Sequence, residues 1–419
     1  MIDFWIGLPL IVRLGGLAIL GILIGAFGNY ATYNWAYFRR AIDPWSKKHE
    51  DAPERKLSDK IPIVGWFGLR RESEIHGKWF WVRPILIEIG VAMLLPALYW
   101  YETEARALFP NGIRPGPNVD RWCHLNFIAH AILIALMVPA TFIDFDEQTI
   151  PDQITIPGTV IGLALSSISL YIFMPVAAGD LLKPVTFLTP VPPAGIPIKW
   201  RGTVGLLTGL AIWTGWCFAL ADRRLITRKG FRKAIEFFFA GLVRHPTWKL
   251  LVGIWVAGLF GIGAIYALGD RAWYGLLSSL IGLAVGGSIV WVIRIIGSSA
   301  MNVEAMGFGD VTLMAMIGAF VGWQAAGLAF FLAPFAAIAI VIIQFVVTRD
   351  NRIPFGPYLC AGTMLTIIFW DRLFNQWFID LTKMIGVVGI WMGVAIFGLM
   401  WLMLYAWRKI KEAIYASQS

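Results

Sequence analysis

Long apolar runs separated by polar segments dominate the 419-residue chain. A helix needs about 20 apolar residues to cross a bilayer, and most of these runs approach or exceed that length. The pattern therefore predicts an all-α fold, a polytopic membrane helix bundle. About eleven spans are expected, at residues 11–36, 84–101, 125–144, 155–178, 203–221, 250–268, 274–298, 310–323, 324–347, 358–371 and 385–407.

Positive charge is distributed unevenly between the loops that these spans define. With the N-terminus outside, the loops 37–83, 222–249 and 348–357 and the tail after Trp407 face the cytoplasm. These segments carry 24 Lys and Arg residues, against 9 in the opposite loops. Because cytoplasmic loops are enriched in Lys and Arg, the asymmetry predicts this orientation. It accounts for most of the net charge of +9 with the lipid bilayer as partner and no nucleic acid.

Cysteine and histidine residues offer no metal site. Cys123, Cys217 and Cys360 are far apart and have no C-x-x-C spacing. The five histidines are scattered, with no pair at ligand spacing. We therefore expect no bound metal.

Two aspartates combine an unusual position with a chemistry that needs two carboxyl groups. Asp144 ends the third predicted span, and Asp310 closes a Gly-Phe-Gly-Asp string before the eighth, so both are expected at the cytoplasmic ends of helices. Peptide hydrolysis needs one ionised carboxyl group to take a proton from water and one protonated group to polarise the carbonyl. A close pair in a partly dry site supplies both forms, because the two groups do not readily ionise together. Asp144 and Asp310 are therefore the candidate catalytic residues.

Neighbouring residues have more than one interpretation. Gly307 and Gly309 are expected to let an extended substrate approach Asp310, because a backbone without side chains leaves room and permits φ values that other residues avoid. For the acidic residues near Asp144, solvation or pairing with a nearby arginine is at least as good an explanation as a functional role. These acidic residues are Asp146, Glu147 and Asp152.

Three strings around these residues resemble the type IV prepilin peptidases, Gly-x-Gly-Asp aspartyl peptidases of family A24. The strings are Ile-Asp at 143–144 running to Ile-Pro-Asp at 150–152, residues 304–323 with the Gly-x-Gly-Asp motif, and Ile-Pro-Phe-Gly-Pro-Tyr-Leu at 353–359. They occur in the family's order. Weaker similarity is seen near 25–29, including Asn29, and from 60 to 88, including Glu88.

The resemblance implies an aspartyl endopeptidase of the bacterial inner membrane that cuts the basic leader peptide of type IV prepilins or pseudopilins at the cytoplasmic membrane face. Asp144 and Asp310 would be catalytic, and the 354–357 loop would border the substrate cleft together with the two glycines. The expected substrate-binding residues are Gly307, Gly309, Pro354, Phe355, Gly356 and Pro357. No cofactor is expected for the peptidase reaction.

The chain departs from the family pattern in several places. The paired C-x-x-C cluster of the first cytoplasmic loop is missing, so S-adenosylmethionine would be a cofactor only if N-methyltransferase activity were retained. Thr312 stands where a lysine is usual. The aspartates are 166 positions apart (310 minus 144) because residues 179–268 have the character of an insertion with two spans. An even number of added spans returns the chain to the same side, so the two aspartates can still meet.

These features divide the chain into six segments. The long basic loop of the insertion is expected to hold a helix on anionic headgroups, with a partner-docking surface as the alternative. The segments are a first span (1–36), a small cytoplasmic loop subdomain (37–83), a membrane core with Asp144 (84–178), the insertion (179–268), a membrane core with the Gly-x-Gly-Asp motif (269–371) and an extra C-terminal span with a basic tail (372–419).

Two other classes of function compete with the peptidase. A carboxylate-lined transporter would also place acidic residues in the membrane. A catalytically altered scaffold of a pilus or type II secretion system would fit Thr312 and the missing cysteines. The intact aspartate pair favours the peptidase over both.

Overall fold

The computed structural model describes residues 2–110, 116–178, 181–188, 197–220, 248–302, 306–348, 354–386 and 388–416. Within these residues the chain is mostly helical and includes a two-stranded antiparallel hairpin. The longer helices are α1 (Leu10–Asn34), α2 (Val82–Tyr99), α3 (Val119–Glu147), α4 (Asp152–Ile168), α5 (Thr203–Leu220), α6 (Trp248–Leu268), α7 (Asp270–Met301), α8 (Phe308–Thr348), α9 (Gly356–Ile368), α10 (Ile379–Ile385) and α11 (Val388–Ala416).

Eight of the described helices are long and apolar enough to cross a membrane. They are α1, α2 with its extension to Glu104, α3, α5, α6, α7, α8 and α11. Helix α9 is apolar but has only 13 residues. These helices fit an all-α polytopic membrane protein, and the total of eleven spans stays a prediction.

The predicted span 155–178 is wrong in its second half. Helix α4 ends at Ile168, and β1 (Pro175–Ala178) pairs antiparallel with β2 (Leu181–Pro184). Hydropathy alone does not distinguish a short apolar strand from the end of a helix, which explains the error. The predicted boundary between spans 310–323 and 324–347 coincides with a break in α8, where Gly322 has a φ of 81°.

The β-hairpin and the residues before it lie at one end of the bundle, which we call the hairpin end. Indole N–H groups from three helices donate hydrogen bonds to backbone carbonyls there. The bonds are Trp122 Nε1 to Phe173 O (2.9 Å), Trp370 Nε1 to Pro175 O (2.7 Å) and Trp323 Nε1 to Phe187 O (3.1 Å). Because Trp122 begins α3 and Asp144 ends it, the aspartate lies at the other end of the bundle, the aspartate end.

Helices α7 and α8 pack with almost no side chain between them. Gly282 and Gly318 face each other, and a Cβ on either would overlap the backbone carbonyl of the other. At Gly286, an added Cβ would lie 2.5 Å from Met314 O. Small residues allow such close approach between membrane helices, where lipid gives apolar side chains little reason to associate. This contact fixes the start of α8, and therefore Asp310, against α7.

Residues 37–81, the loop segment, contain several short helical turns, including Val64–Leu69 and Ser73–His76. A fully buried Glu72 carboxylate accepts two hydrogen bonds of 2.9 Å from Arg55. The same guanidinium donates to the carbonyls of Ala41, Asp43 and Ser46 at 2.8 to 3.0 Å. One arginine therefore connects distant parts of the loop segment.

Glu88 of α2 anchors the loop segment to the helices. Its buried carboxylate accepts hydrogen bonds from Asn29 Nδ2 of α1 (2.9 Å), from Trp66 Nε1 (2.8 Å) and from the N–H of Ile63. Asn29 also donates to Pro84 O at 3.0 Å. The two weak sequence similarities, at Asn29 and Glu88, thus form one structural connection.

The predicted insertion contributes α5 and α6, which contact each other and α7. Trp213 Nε1 of α5 donates to Trp255 O of α6 at 3.0 Å, and Gly209 of α5 lies against the Trp273 ring of α7. The two helices thus form a layer outside α7. The basic loop expected to lie on headgroups falls outside the described residues.

Candidate active site

Asp144 lies in the last turn of α3, with only 4% of its surface exposed. The helix ends because Gln148 adopts a left-handed conformation with a φ of 54°, and its N–H donates to Asp144 O at 2.9 Å. The carboxylate Oδ2 accepts a hydrogen bond of 2.9 Å from the N–H of Gly356, which begins α9. A carboxylate beside a helix N-terminus also benefits from the helix dipole.

Asp310 lies in the first turn of α8 and is 7% exposed. The backbone of Gly307 hydrogen-bonds with its carboxyl group. Thr312, at the position where a lysine is usual in the family, is buried and donates from its hydroxyl to Gly309 O at 3.0 Å. Thr312 therefore stabilises the turn that holds Asp310.

The fold brings Asp144 and Asp310 together despite their separation in sequence. Their carboxyl groups are close enough to interact electrostatically. Ile150 fills the space beside them: it lies 3.0 Å from the position of a Cβ on Gly309 and 2.9 Å from that of a Cβ on Gly356. The three sequence strings that were expected to share a site are therefore adjacent in space.

The expected substrate-binding residues all lie around this pair, in different environments. Gly307 is exposed, and Phe355 is half-buried with its ring 6.2 Å from that of Phe330. Pro354 and Pro357 are buried.

Close packing explains why two positions of the site, 356 and 309, are glycine. A Cβ on Gly356 would lie 2.8 Å from Asp144 Oδ2, so a side chain there would displace the carboxylate. Gly309 is similarly tight against Ile150. Neither Gly307 nor Gly309 has a positive φ, so neither uses the additional backbone freedom that glycine permits. Proximity to Ile150, and not backbone freedom, is what requires a small residue at Gly309.

Acidic residues after Asp144 have structural partners. Asp146 forms an ion pair of 2.7 Å with Arg83 at the start of α2. Glu147 accepts hydrogen bonds from the N–H groups of Tyr37 (2.8 Å) and Phe38 (2.9 Å). The interpretation of Asp146 as an arginine-paired acid is confirmed. These contacts also tie the loop segment to the end of α3, next to Asp144.

Arg294 of α7 contacts the turn before Asp310, and the sequence did not predict this contact. Its Nε donates to Met306 O at 2.8 Å, and its guanidinium lies 5.7 Å from the centre of the Phe308 ring. Nothing in the sequence connects it with residues 306–308. It holds the turn directly before Asp310.

Another buried carboxyl group, that of Glu102, also lies far from the pair. Glu102 Oε1 and His130 Nδ1 are 2.8 Å apart, and both side chains are almost fully buried. His130 lies on α3, 14 residues before Asp144, which corresponds to about 21 Å along a helix. This pair is therefore separate from the aspartate site.

Comparison with known proteins bears on the part of the site that contains Asp310. Residues 247–342, which include Asp310, match the family model described as the type IV leader peptidase family. The resemblance to the type IV prepilin peptidases is confirmed. Asp144 and the 354–357 loop lie outside the matched residues.

Curated relatives of this family include prepilin leader peptidase/N-methyltransferases from three organisms. The protein from Aeromonas hydrophila is 28% identical over 151 residues, covering 35% of this chain and 49% of the relative. That from Stutzerimonas stutzeri is 26% identical over 173 residues, covering 40% and 57%. That from Burkholderia pseudomallei (strain 1026b) is 31% identical over 97 residues, covering 22% and 31%. The chain thus spans about half the length of the curated relatives it matches or less. No solved structure matches the chain significantly.

Proposed function

We propose that the chain is a membrane aspartyl endopeptidase that cleaves the basic leader of type IV prepilins or pseudopilins at the cytoplasmic face of the inner membrane. The observation that carries the proposal is the pairing of two buried carboxyl groups, Asp144 and Asp310, at the ends of separate helices. The names of the relatives give the substrate class. The excess of Lys and Arg in the loops that are predicted to face the cytoplasm supports the orientation.

The mechanism follows from a pair that shares one proton. The ionised carboxylate takes a proton from a water molecule as the water oxygen attacks the scissile carbonyl carbon, and the protonated carboxyl group donates its proton to the carbonyl oxygen. The tetrahedral intermediate, which now carries two hydroxyl groups, then collapses. One hydroxyl group gives its proton to the carboxylate that is now ionised as the carbonyl re-forms, and the leaving nitrogen receives a proton from the other carboxyl group as the C–N bond breaks. The pair thereby returns to its singly protonated state. Neither a metal nor a cofactor takes part in this proposal.

The proposed function does not include methyl transfer. The family's C-x-x-C cluster is absent from the chain, and the loop segment instead contains the Arg55–Glu72 pair. We therefore expect the newly formed N-terminus to remain an unmodified amine, without use of S-adenosylmethionine. Mass spectrometry of the processed substrate measures this directly.

The test is co-expression with a prepilin from the same genome. Wild type should remove the leader, whereas Asp144→Asn and Asp310→Asn should each lower processing by at least about a thousandfold, because the pair acts as a unit. Asp51→Asn is the control, since Asp51 is an exposed carboxyl group of the loop segment outside the three strings around the pair, and it should process normally. Processing by both Asn variants at the wild-type rate would exclude the aspartyl mechanism.

A carboxylate-lined transporter is the second candidate, because Glu102 and His130 form a buried pair at membrane depth. Glu102→Gln distinguishes the two functions. Leader removal that is lost in the aspartate variants and retained in Glu102→Gln supports the peptidase. Ion or proton flux through purified wild-type protein in vesicles, abolished by Glu102→Gln, would support the transporter.

A further inference from the structure

An apolar groove begins beside Asp144 and runs away from it along α3 and α9. It encloses a cavity of about 250 Å³. Thr141 and Phe145, on either side of Asp144 in the last turns of α3, line one end of the groove, together with Pro357. The other end is lined by residues deeper in the bundle, including Ile134 and Met364.

The groove lies next to the Asp144 side of the aspartate site. Thr141 lies one turn before Asp144 on α3, and Pro357 follows Gly356, whose N–H binds the Asp144 carboxylate. From Phe145 to Ile134 the groove follows eleven residues of α3, or about 16 Å of helix. A chain that leaves the aspartates along this groove therefore descends about half the thickness of a bilayer.

Two apolar cavities flank the aspartates. One, of about 410 Å³, lies on the Asp310 side between α5, α7 and the start of α8, and its lining includes Phe308 and Thr312. The α3–α9 groove lies on the Asp144 side and has an almost wholly apolar lining. Of these two, it is the groove that joins the end of α3 to Pro357 of the predicted substrate loop, so it offers an apolar segment a path from bilayer depth to the residues expected to border the cleft.

We infer that this groove binds the first apolar side chains after the cleavage point of the substrate. The inference rests on the proposed function, in which a basic leader, the cleavage point and an apolar helix follow one another. With the scissile bond between the aspartates, the apolar helix continues into the bilayer, and the groove lies along that path. Its volume suits one or two large apolar side chains, so it selects substrates by the size and polarity of these residues.

Filling the groove should block the substrate without disturbing the aspartates. Ala361 is a half-buried groove residue, and Ala361→Trp should raise KM for a full-length prepilin roughly ten- to hundredfold, the range expected for loss of one buried apolar side chain. Ala135→Trp is the matched control. Ala135 is also half-buried but lines a separate groove beside α1, so its replacement should leave KM unchanged.

A photo-crosslinking amino acid tests occupancy even if the tryptophan variant folds poorly. It is placed at Met364 in the groove, or at Ile128 in the control groove, in Asp310→Asn protein co-expressed with a prepilin. The expected result is a crosslink from position 364, but not 128, to the first residues after the cleavage point.

The outcomes separate this inference from the proposed function. If wild type removes the leader, Ala361→Trp has a wild-type KM and position 364 captures only lipid, the groove is a lipid site and the inference is overturned alone. If wild type removes no leader from any prepilin of its genome, the proposed function fails, and the inference fails with it.

Discussion

The loop segment and the α7–α8 contact are held together by opposite means. In the loop segment, the mostly buried side chain of Arg55 donates hydrogen bonds to the buried Glu72 carboxylate and to three backbone carbonyls. Between α7 and α8, glycines let two backbones touch, and charged groups take no part at Gly282 and Gly318. The difference follows from the surroundings. A small water-exposed segment has little apolar surface to bury, whereas membrane helices gain little from burying more.

The largest effect is expected at the charged cluster of the loop segment, which consists of Arg55 and Glu72. Arg55→Met leaves the Glu72 carboxylate buried without its partner, which should cost about 3–5 kcal/mol of stability. Limited proteolysis should then cleave within residues 37–81 at protease concentrations that wild type resists. The exposed ion pair Lys48–Glu54 gives the control, and Lys48→Met should not change the cleavage pattern. Equal resistance of Arg55→Met and wild type would show that the cluster does not hold the segment together.

The next largest effect concerns the helix contact. Gly282→Leu forces α7 away from α8, with an expected loss of roughly 3 kcal/mol and a lower unfolding temperature in detergent. Gly327→Leu is the matched control, because Gly327 is a helical glycine of α8 with open space at its Cβ position. If both variants unfold at the same temperature, close backbone packing is not what stabilises this contact.

Substitutions at Arg294 test whether a charged side chain among the packed helices also affects the aspartate site. Under the proposed function, Arg294→Leu should lower kcat roughly tenfold, since the turn before Asp310 loses its hydrogen bond to Met306 O. Arg294→Lys should recover part of this loss and shift the pH profile less than the leucine variant does. A lysine variant no better than leucine would limit Arg294 to a packing role.

The smallest effect is expected from pH in the loop segment. Burial lowers the pKa of His76 below its ordinary value of 6.5, although the nearby Glu72 carboxylate opposes the shift. The unfolded segment therefore binds a proton more readily, so stability is complete above pH 6.5 and decreases as the pH falls toward the folded-state pKa. Protease resistance of residues 37–81 should decrease accordingly. His76→Phe should reduce this dependence, and replacement of the exposed His49 by Gln should not.

Much of the fold and of the candidate site was predictable from local sequence. Helices α1, α2 and α3 begin and end close to the predicted spans because each is a long apolar run with polar ends. The break at Gly322 was also predicted. The β-hairpin was not predicted. Pro175–Ala178 is apolar and short, and besides its pairing with β2 it is held by contacts from distant helices, such as the hydrogen bond that Trp370 Nε1 donates to Pro175 O.

The sequence by itself determined which residues carry the candidate chemistry. Asp144, Asp310 and the 353–359 string were identifiable because carboxylates at span ends are costly to keep and because short motifs are local in the chain. The predicted orientation likewise depends on a count of charged residues in loops.

Only the tertiary structure decided how these residues meet and what surrounds them. The hydrogen bond from Gly356 to Asp144, the support of the Asp310 turn by Arg294 and the apolar groove beside Thr141 join residues that lie far apart in the chain. Hydropathy and spacing describe one segment at a time, whereas these contacts depend on which faces of two helices are turned toward each other. Glycines between α7, α8 and α4 fix those faces, and so place Asp310 opposite Asp144.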